Sequence, residues 1–264
     1  MLSVNALYVY PIKSCRGIEV SAAWLGEQGL AGDRRWMVVD ENGRMLTARK
    51  VPELLKVQPV PDETGIWLTA PGCPDRPVLL PREGAMMTVE VWQDRLSQAR
   101  VSEPGSQWFS EYLGQPVRLV WLPPVSERMV DPEWAPAGHF TGFADGFPIL
   151  VAHQASLQDL SRRVGMTLSM RRFRPNLVVA GGDPWDEDRW TAIESPGAAL
   201  RLSKPCSRCI MITVDPDTFE RQPEVLRGLA QFRRQPLGVI FGKNAVVTRP
   251  GLLAVGESLD ISED

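Results

Sequence analysis

Arg35-Trp36-Met37-Val38-Val39-Asp40 is followed by Glu41-Asn42-Gly43 and then by Arg44-Met45-Leu46-Thr47-Ala48-Arg49. The first run is apolar and β-prone, and Asn-Gly supplies the positive φ angles that a tight turn demands. The stretch predicts a β-hairpin over 35–49. The same punctuation recurs outward along the chain. Val4 to Ile12 reads as a strand ending at Pro11. Short apolar runs bounded by Gly, Pro or Asp predict further strands at 66–70, 78–80, 88–91, 117–122, 177–180, 200–203, 210–214 and 245–248. Helices are few. Ser106 is expected to cap one through Leu113, with Gly114 as its stop. Gln154 to Val164 places Leu157, Leu160 and Val164 on one face before Gly165, and Pro223 opens a third helix carrying Leu226, Leu229 and Phe232. The expected fold class is mostly β (α+β) and barrel-like, with a few peripheral helices. The Pro-rich stretch from Leu122 to Gly138 is the linker candidate, dividing the chain into regions 1–122 and 123–264.

Of the 264 residues, 44% are hydrophobic and 23% charged, with a formal net charge of −3. That balance supports a large core and gives no reason to expect a nucleic-acid or anionic-membrane partner. The N-terminus shows no basic segment followed by a small-residue cleavage site, and no run approaches about 18 uninterrupted apolar residues. Cysteines at 15, 73, 206 and 209 do not form a disulfide framework. A cytoplasmic location follows as the expectation.

The chemistry concentrates in Lys204-Pro205-Cys206-Ser207-Arg208-Cys209. A cysteine beside a fixed positive charge has its thiolate favoured, and a thiolate is both a nucleophile and a soft metal ligand. Structural zinc would need a second paired knuckle, which Cys15, Cys73, His139 and His153 do not supply. A redox pair would open a helix, whereas β-branched sequence follows here. Two inert buried thiols remain the plain alternative. Neither a Gly-x-Ser-x-Gly elbow nor a phosphate-binding glycine loop is present. Lys13, Ser14, Arg34, Arg49 and Arg174, beside Asn176 and Arg208, fall at turns or strand ends. Convergent arginine forks hold phosphorylated cofactors. A thiolate with an anion cradle suggests a metal carried on an anionic organic ligand.

Seven motifs then occur in order. They are 10–17 (Tyr-Pro-Ile-Lys-Ser-Cys-Arg-Gly), 32–36 (Gly-Asp-Arg-Arg-Trp), Thr47-Ala48-Arg49, 143–148 (Phe-Ala-Asp-Gly-Phe-Pro), Phe173-Arg174-Pro175-Asn176, 204–209, and 214–218 (Val-Asp-Pro-Asp-Thr). Together the motifs resemble the MOSC-domain family with its N-terminal β-barrel region, in the branch of the amidoxime-reducing components and the bacterial reductase of N-hydroxylated compounds. The resemblance implies a MOSC N-terminal region at 1–122 and a MOSC domain at 123–264, the first strand being a candidate member of the second barrel. It implies molybdenum cofactor (molybdopterin), with Cys209 as the metal ligand and catalytic residue. Lys13, Ser14, Arg34, Arg174, Asn176, Ser207 and Arg208 are its implied contacts, and Arg49 joins them from the basic set. Cys206 is expected to be structural and to face away, because residues three apart in a strand alternate faces. The expected activity is reduction of N–OH to N–H in a small N-hydroxylated substrate. No cysteine follows Cys209, so no iron–sulfur cluster is expected, and electrons should come from a separate ferredoxin or flavoprotein-type donor. The alternative is a non-redox sulfur or molybdenum-cofactor carrier.

Overall fold

The computed structural model describes residues 1–124 and 126–264. Strands take 43% of the chain and helices 18%, so the mostly β expectation holds. Seven strands close into a barrel. Ile149–His153 runs parallel to Leu177–Ala180. The ring continues antiparallel through Leu2–Val9, Ser258–Glu263, Trp190–Glu194, Ala199–Ser207 and Gly238–Arg249, which returns to Ile149–His153. Closure leaves no unpaired edge. The N-terminal strand is therefore a stave of a barrel whose other staves all lie beyond residue 148. Side chains alternate across it as strand geometry requires. Leu7 and Val9 point inward with Val151, Val179, Trp190 and Leu200. Ala6, Tyr8 and Tyr10 point outward, under the helices Gln154–Val164 and Glu224–Phe232 through Leu157, Leu160, Val225 and Leu229.

The intervening sequence builds a four-stranded antiparallel sheet, in the order Trp36–Val39, Arg118–Trp121, Asp94–Ser102, Met86–Val91, and a three-stranded one from Gln58–Pro61, Gly65–Ala70 and Cys73–Leu79. Trp36, Ile66, Leu68, Val78, Trp108, Phe109 and Leu119 share one core there. Among the described residues no helix is long and apolar enough to cross a membrane.

Three expectations need correction. The helix expected from Ser106 starts at Glu103 and is capped by Ser102, whose hydroxyl accepts the Gly105 N–H. Ser106 lies inside it; its hydroxyl donates to the Ser102 carbonyl at 2.6 Å and accepts the Leu119 N–H at 3.0 Å. The Asn-Gly turn forms, with the Gly43 N–H on the Asp40 carbonyl at 3.0 Å, but the second hairpin strand does not. Only Met45 bridges back to Val39, and the chain then leaves as a loop that carries Arg49 away. The β-branched run at Ile210–Thr213 is a 3-10 turn, closed by the Thr213 hydroxyl donating to the Ile210 carbonyl at 2.7 Å. Apolar composition alone does not separate a short turn from a short strand.

Candidate functional site

An open cleft of about 140 Å³ is lined by Lys13, Ser14, Arg34, Arg49, Arg174, Asn176, Arg208 and Cys209. Thr47, Ala48 and Trp92 come to it from the intervening sheets and their loops. Of the residues singled out from sequence, Ser207 alone lies outside the lining; it ends its strand with an exposed side chain.

The floor is centred on Tyr10, which is buried where the first strand ends. The Arg34 and Arg174 guanidinium groups lie 4.4 and 4.2 Å from its ring centroid. A side chain at position 17 would collide with this ring, since a Cβ there would stand 2.4 Å from the Tyr10 Cε1, so Gly17 permits the packing. Each arginine is fixed by further bonds. Arg34 donates to Asp33 at 2.6 Å, to the Asn176 side-chain oxygen at 3.0 Å and to the Arg174 carbonyl at 3.2 Å. Arg174 donates to the Cys15 carbonyl at 2.7 Å. Asp33 also accepts the Tyr10 N–H at 2.8 Å. Asn176 donates to the Tyr8 carbonyl and accepts the Leu150 N–H, tying the floor to the barrel strands. Burial pulls the Arg174 guanidinium below its ordinary value, whereas Asp33 outweighs burial and holds Arg34 above its own. Burial also lifts the Tyr10 phenol and the Cys15 thiol far above their usual ranges, so both stay neutral.

Ser14, Arg34, Trp92 and Arg174 have φ of +70°, +45°, +57° and +54°. They are four of only six non-glycine residues with positive φ among those described, and all four line the cleft. Such strain gathers where the surrounding structure enforces a functional geometry.

Opposite the floor, Lys13 is buried and donates to the Phe143 carbonyl at 2.8 Å and to Asp145 Oδ1. The indole Nε1 of Trp92 reaches the same oxygen at 3.2 Å. Buried Arg128 fixes the segment behind Asp145 by donating to the carbonyls of Gly142, Ala144 and Asp145. Burial lowers the Lys13 ammonium despite its partner. For Asp145 the enclosing cleft walls work upward, but Lys13 and the Trp92 hydrogen bond outweigh them and hold the carboxyl well below the usual carboxylate range.

Cys206 and Cys209 both line the cleft, which corrects the expectation that Cys206 faces away. The alternation argument fails because the strand is bulged between Pro205 and Ser207 and ends there, leaving Cys209 as the cap of the 3-10 turn. Arg208 donates to the Cys206 sulfur at 2.8 Å and to the Phe173 carbonyl at 2.8 Å.

No group of three or more His, Cys, Asp or Glu side chains that could hold a metal ion exists among the described residues. A metal in this cleft would have to bring most of its own ligands. Buried polar atoms without partners, Tyr10 Oη and Arg208 Nε, belong to residues of the floor and of the cysteine turn. Planar cationic forks, unsatisfied donors and thiols suit an anionic, sulfur-tolerant metal chelate. Sequence reasoning missed Trp92 and passed over Asp145; the latter sat within a quoted motif, and the former was marked only by a bulky residue between two β-prone runs.

Residues 1–116 match the family model of the MOSC N-terminal beta barrel domain, and residues 139–260 match that of the MOSC domain. The chain is 31% identical over 278 residues to mitochondrial amidoxime-reducing component 1 of Homo sapiens, covering 97% of this chain and 81% of that protein. It is 30% identical over 277 residues to mitochondrial amidoxime reducing component 2 of Homo sapiens, with 97% and 82% covered. The Danio rerio component 1 is 30% identical over 271 residues, with 96% and 83% covered.

Proposed function

The chain belongs to the MOSC-domain family, and on that premise we propose that it is a molybdenum-cofactor-dependent reductase of N-hydroxylated compounds. The observation that carries the proposal is the meeting of a fixed cationic floor with the exposed Cys209 thiol in one cleft. Cys209 would ligate the metal. Arg34, Arg174 and Asn176 would hold the anionic pterin from the floor, with Lys13, Ser14, Arg49 and Arg208 around it. Ser207 can take part only through its backbone. When bound, the cofactor supplies a two-electron centre able to accept oxygen. Reduction of N–OH to N–H plus water consumes two electrons and two protons.

The chain's own residues orient the substrate. Asp145 Oδ1 is taken by Lys13 and Trp92, while the side chain as a whole is open to the cleft. Its ionised carboxylate is placed to accept a hydrogen bond from an N–O–H or N–H edge. No dinucleotide fingerprint occurs in the sequence, so a separate donor protein of ferredoxin or flavoprotein type would dock near exposed Cys209. All four cysteines are free thiols, which fits a reducing cytoplasm.

The test is turnover of benzamidoxime by protein from a host that makes the cofactor. Reduced viologen should drive its conversion to benzamidine, and NADH alone should not. Turnover with NADH alone would refute the external donor. A molybdenum-loaded sample inert with every low-potential donor would favour the non-redox carrier.

A further inference from the structure

Trp92 occupies the two-residue turn between Met86–Val91 and Asp94–Ser102, where Val91 pairs with Asp94. Tight hairpin turns of this length favour Gly, Asn or Asp at positive φ, and a bulky aromatic there is an outlier. Trp92 nevertheless sits at +57°, with 43% of its surface exposed. The turn is thus worse with tryptophan than with glycine, and the indole accounts for its presence. Its N–H holds Asp145 at 3.2 Å. The Arg49 guanidinium lies 4.6 Å from its ring centroid, and Arg49 has no carboxylate partner among the described residues.

We propose that Trp92, with Arg49 stacked on it, is the substrate-facing wall of the cleft and selects flat, conjugated N-hydroxylated compounds over small aliphatic ones. The proposal rests on the reductase function above. The buried floor is locked by hydrogen bonds and suits a ligand that stays. A group that enters and leaves at each turnover needs the half-exposed rim. Lys13 Nζ also lies 5.7 Å from the Trp92 centroid, and Asp145 Oδ2 accepts no hydrogen bond from the described residues, so the stacked indole and Arg49 planes lie beside a free acceptor. That pair matches an amidoxime or an N-hydroxylated heterocyclic base, whose plane stacks while its edge donates. Free hydroxylamine offers the edge without the plane.

The experiment compares wild type, Trp92→Gly and Trp92→Phe as molybdenum-loaded protein. Without an electron donor, benzamidoxime binding is titrated by calorimetry. With reduced viologen, kcat/KM is measured for benzamidoxime and for hydroxylamine. Aromatic stacking of ordinary strength predicts that Trp92→Gly weakens benzamidoxime binding about tenfold and lowers its kcat/KM preference over hydroxylamine about tenfold. Trp92→Phe should recover most of both. Molybdenum content should match wild type, and the melting temperature of Trp92→Gly should equal or exceed it because the turn is relieved. Unchanged benzamidoxime affinity in Trp92→Gly would overturn the wall, as would a parallel loss of molybdenum, which would assign the indole to the cofactor. If wild type binds benzamidoxime but never reduces it, the reductase function falls while the binding comparison still decides the wall.

Discussion

On the cleft floor, Arg34 and Arg174 aim their N–H groups at Asp33, Asn176 and backbone carbonyls. At the rim, Arg49 rests on the Trp92 ring and forms no ion pair among the described residues. Both regions are cationic, and both include residues at strained positive φ. They differ in what holds the charges. The floor is set before any ligand arrives, so its arginines lose little freedom on binding. The rim keeps its freedom and can adapt. A site that retains one ligand and exchanges another needs both kinds of wall.

Floor and rim should differ most in stability. Asp33 is buried, accepts the Tyr10 N–H and pairs with Arg34. Removing one partner of a buried pair costs about 3–5 kcal/mol, whereas changing an exposed, unpaired side chain costs within about 0.5 kcal/mol. Urea unfolding should therefore show Asp33→Ala strongly destabilised and Arg49→Ala almost unchanged. Equal losses would mean that the rim is as structural as the floor.

Occupancy sharpens the contrast. Arg174→Lys keeps the charge but loses the planar fork over Tyr10 and its fixed bond to the Cys15 carbonyl. Molybdenum content should fall several-fold, with a smaller change in the melting temperature of the cofactor-free protein. A large cofactor-free destabilisation with full occupancy would make Arg174 a folding residue.

The smallest effect concerns pH. The folded-state value of Asp145 lies below its unfolded one, so its pairing with Lys13 stabilises the fold above pH about 4 and is lost as the pH falls through the folded value. Because the carboxylate is open to the cleft, the contribution at neutral pH should be about 1 kcal/mol or less. Urea midpoints of wild type and Asp145→Asn should differ at pH 7, and the gap should narrow steadily as the pH falls below about 4. A gap that widens on acidification would reverse the sign.

Much of this was legible before the fold. The apolar run Val4–Ile12 announced the first strand, whose two faces the fold divides between the barrel interior and the helix-covered side. Asn42-Gly43 announced a turn because Gly43 needs φ of +80° and close approach to the Thr88 carbonyl. The loss of the second hairpin strand was not legible, since nothing local reveals that the loop is needed elsewhere to deliver Arg49. The family resemblance carried by the seven motifs drew Lys13, Arg34, Arg174 and Cys209 together, although 196 positions separate the first from the last. The orientation of Cys206 was misjudged because a bulge breaks strand alternation at Pro205–Ser207, which Pro205, a residue that sheets admit at edges and bulges, marks in the sequence. Trp92 went unnoticed because an aromatic next to β-branched residues ordinarily signals core.

In the proposed function, one thiol in a preset cationic cleft would hold the metal-bearing cofactor. Elemental analysis of Cys209→Ala and Cys206→Ala, purified alongside wild type from a cofactor-competent host, decides this. Wild type should carry about one molybdenum per chain if Cys209 is the single protein ligand. Cys209→Ala should lose most of it and Cys206→Ala should keep it. Equal loss in both variants would mean a two-cysteine metal site, and full retention in Cys209→Ala would remove Cys209 as the ligand.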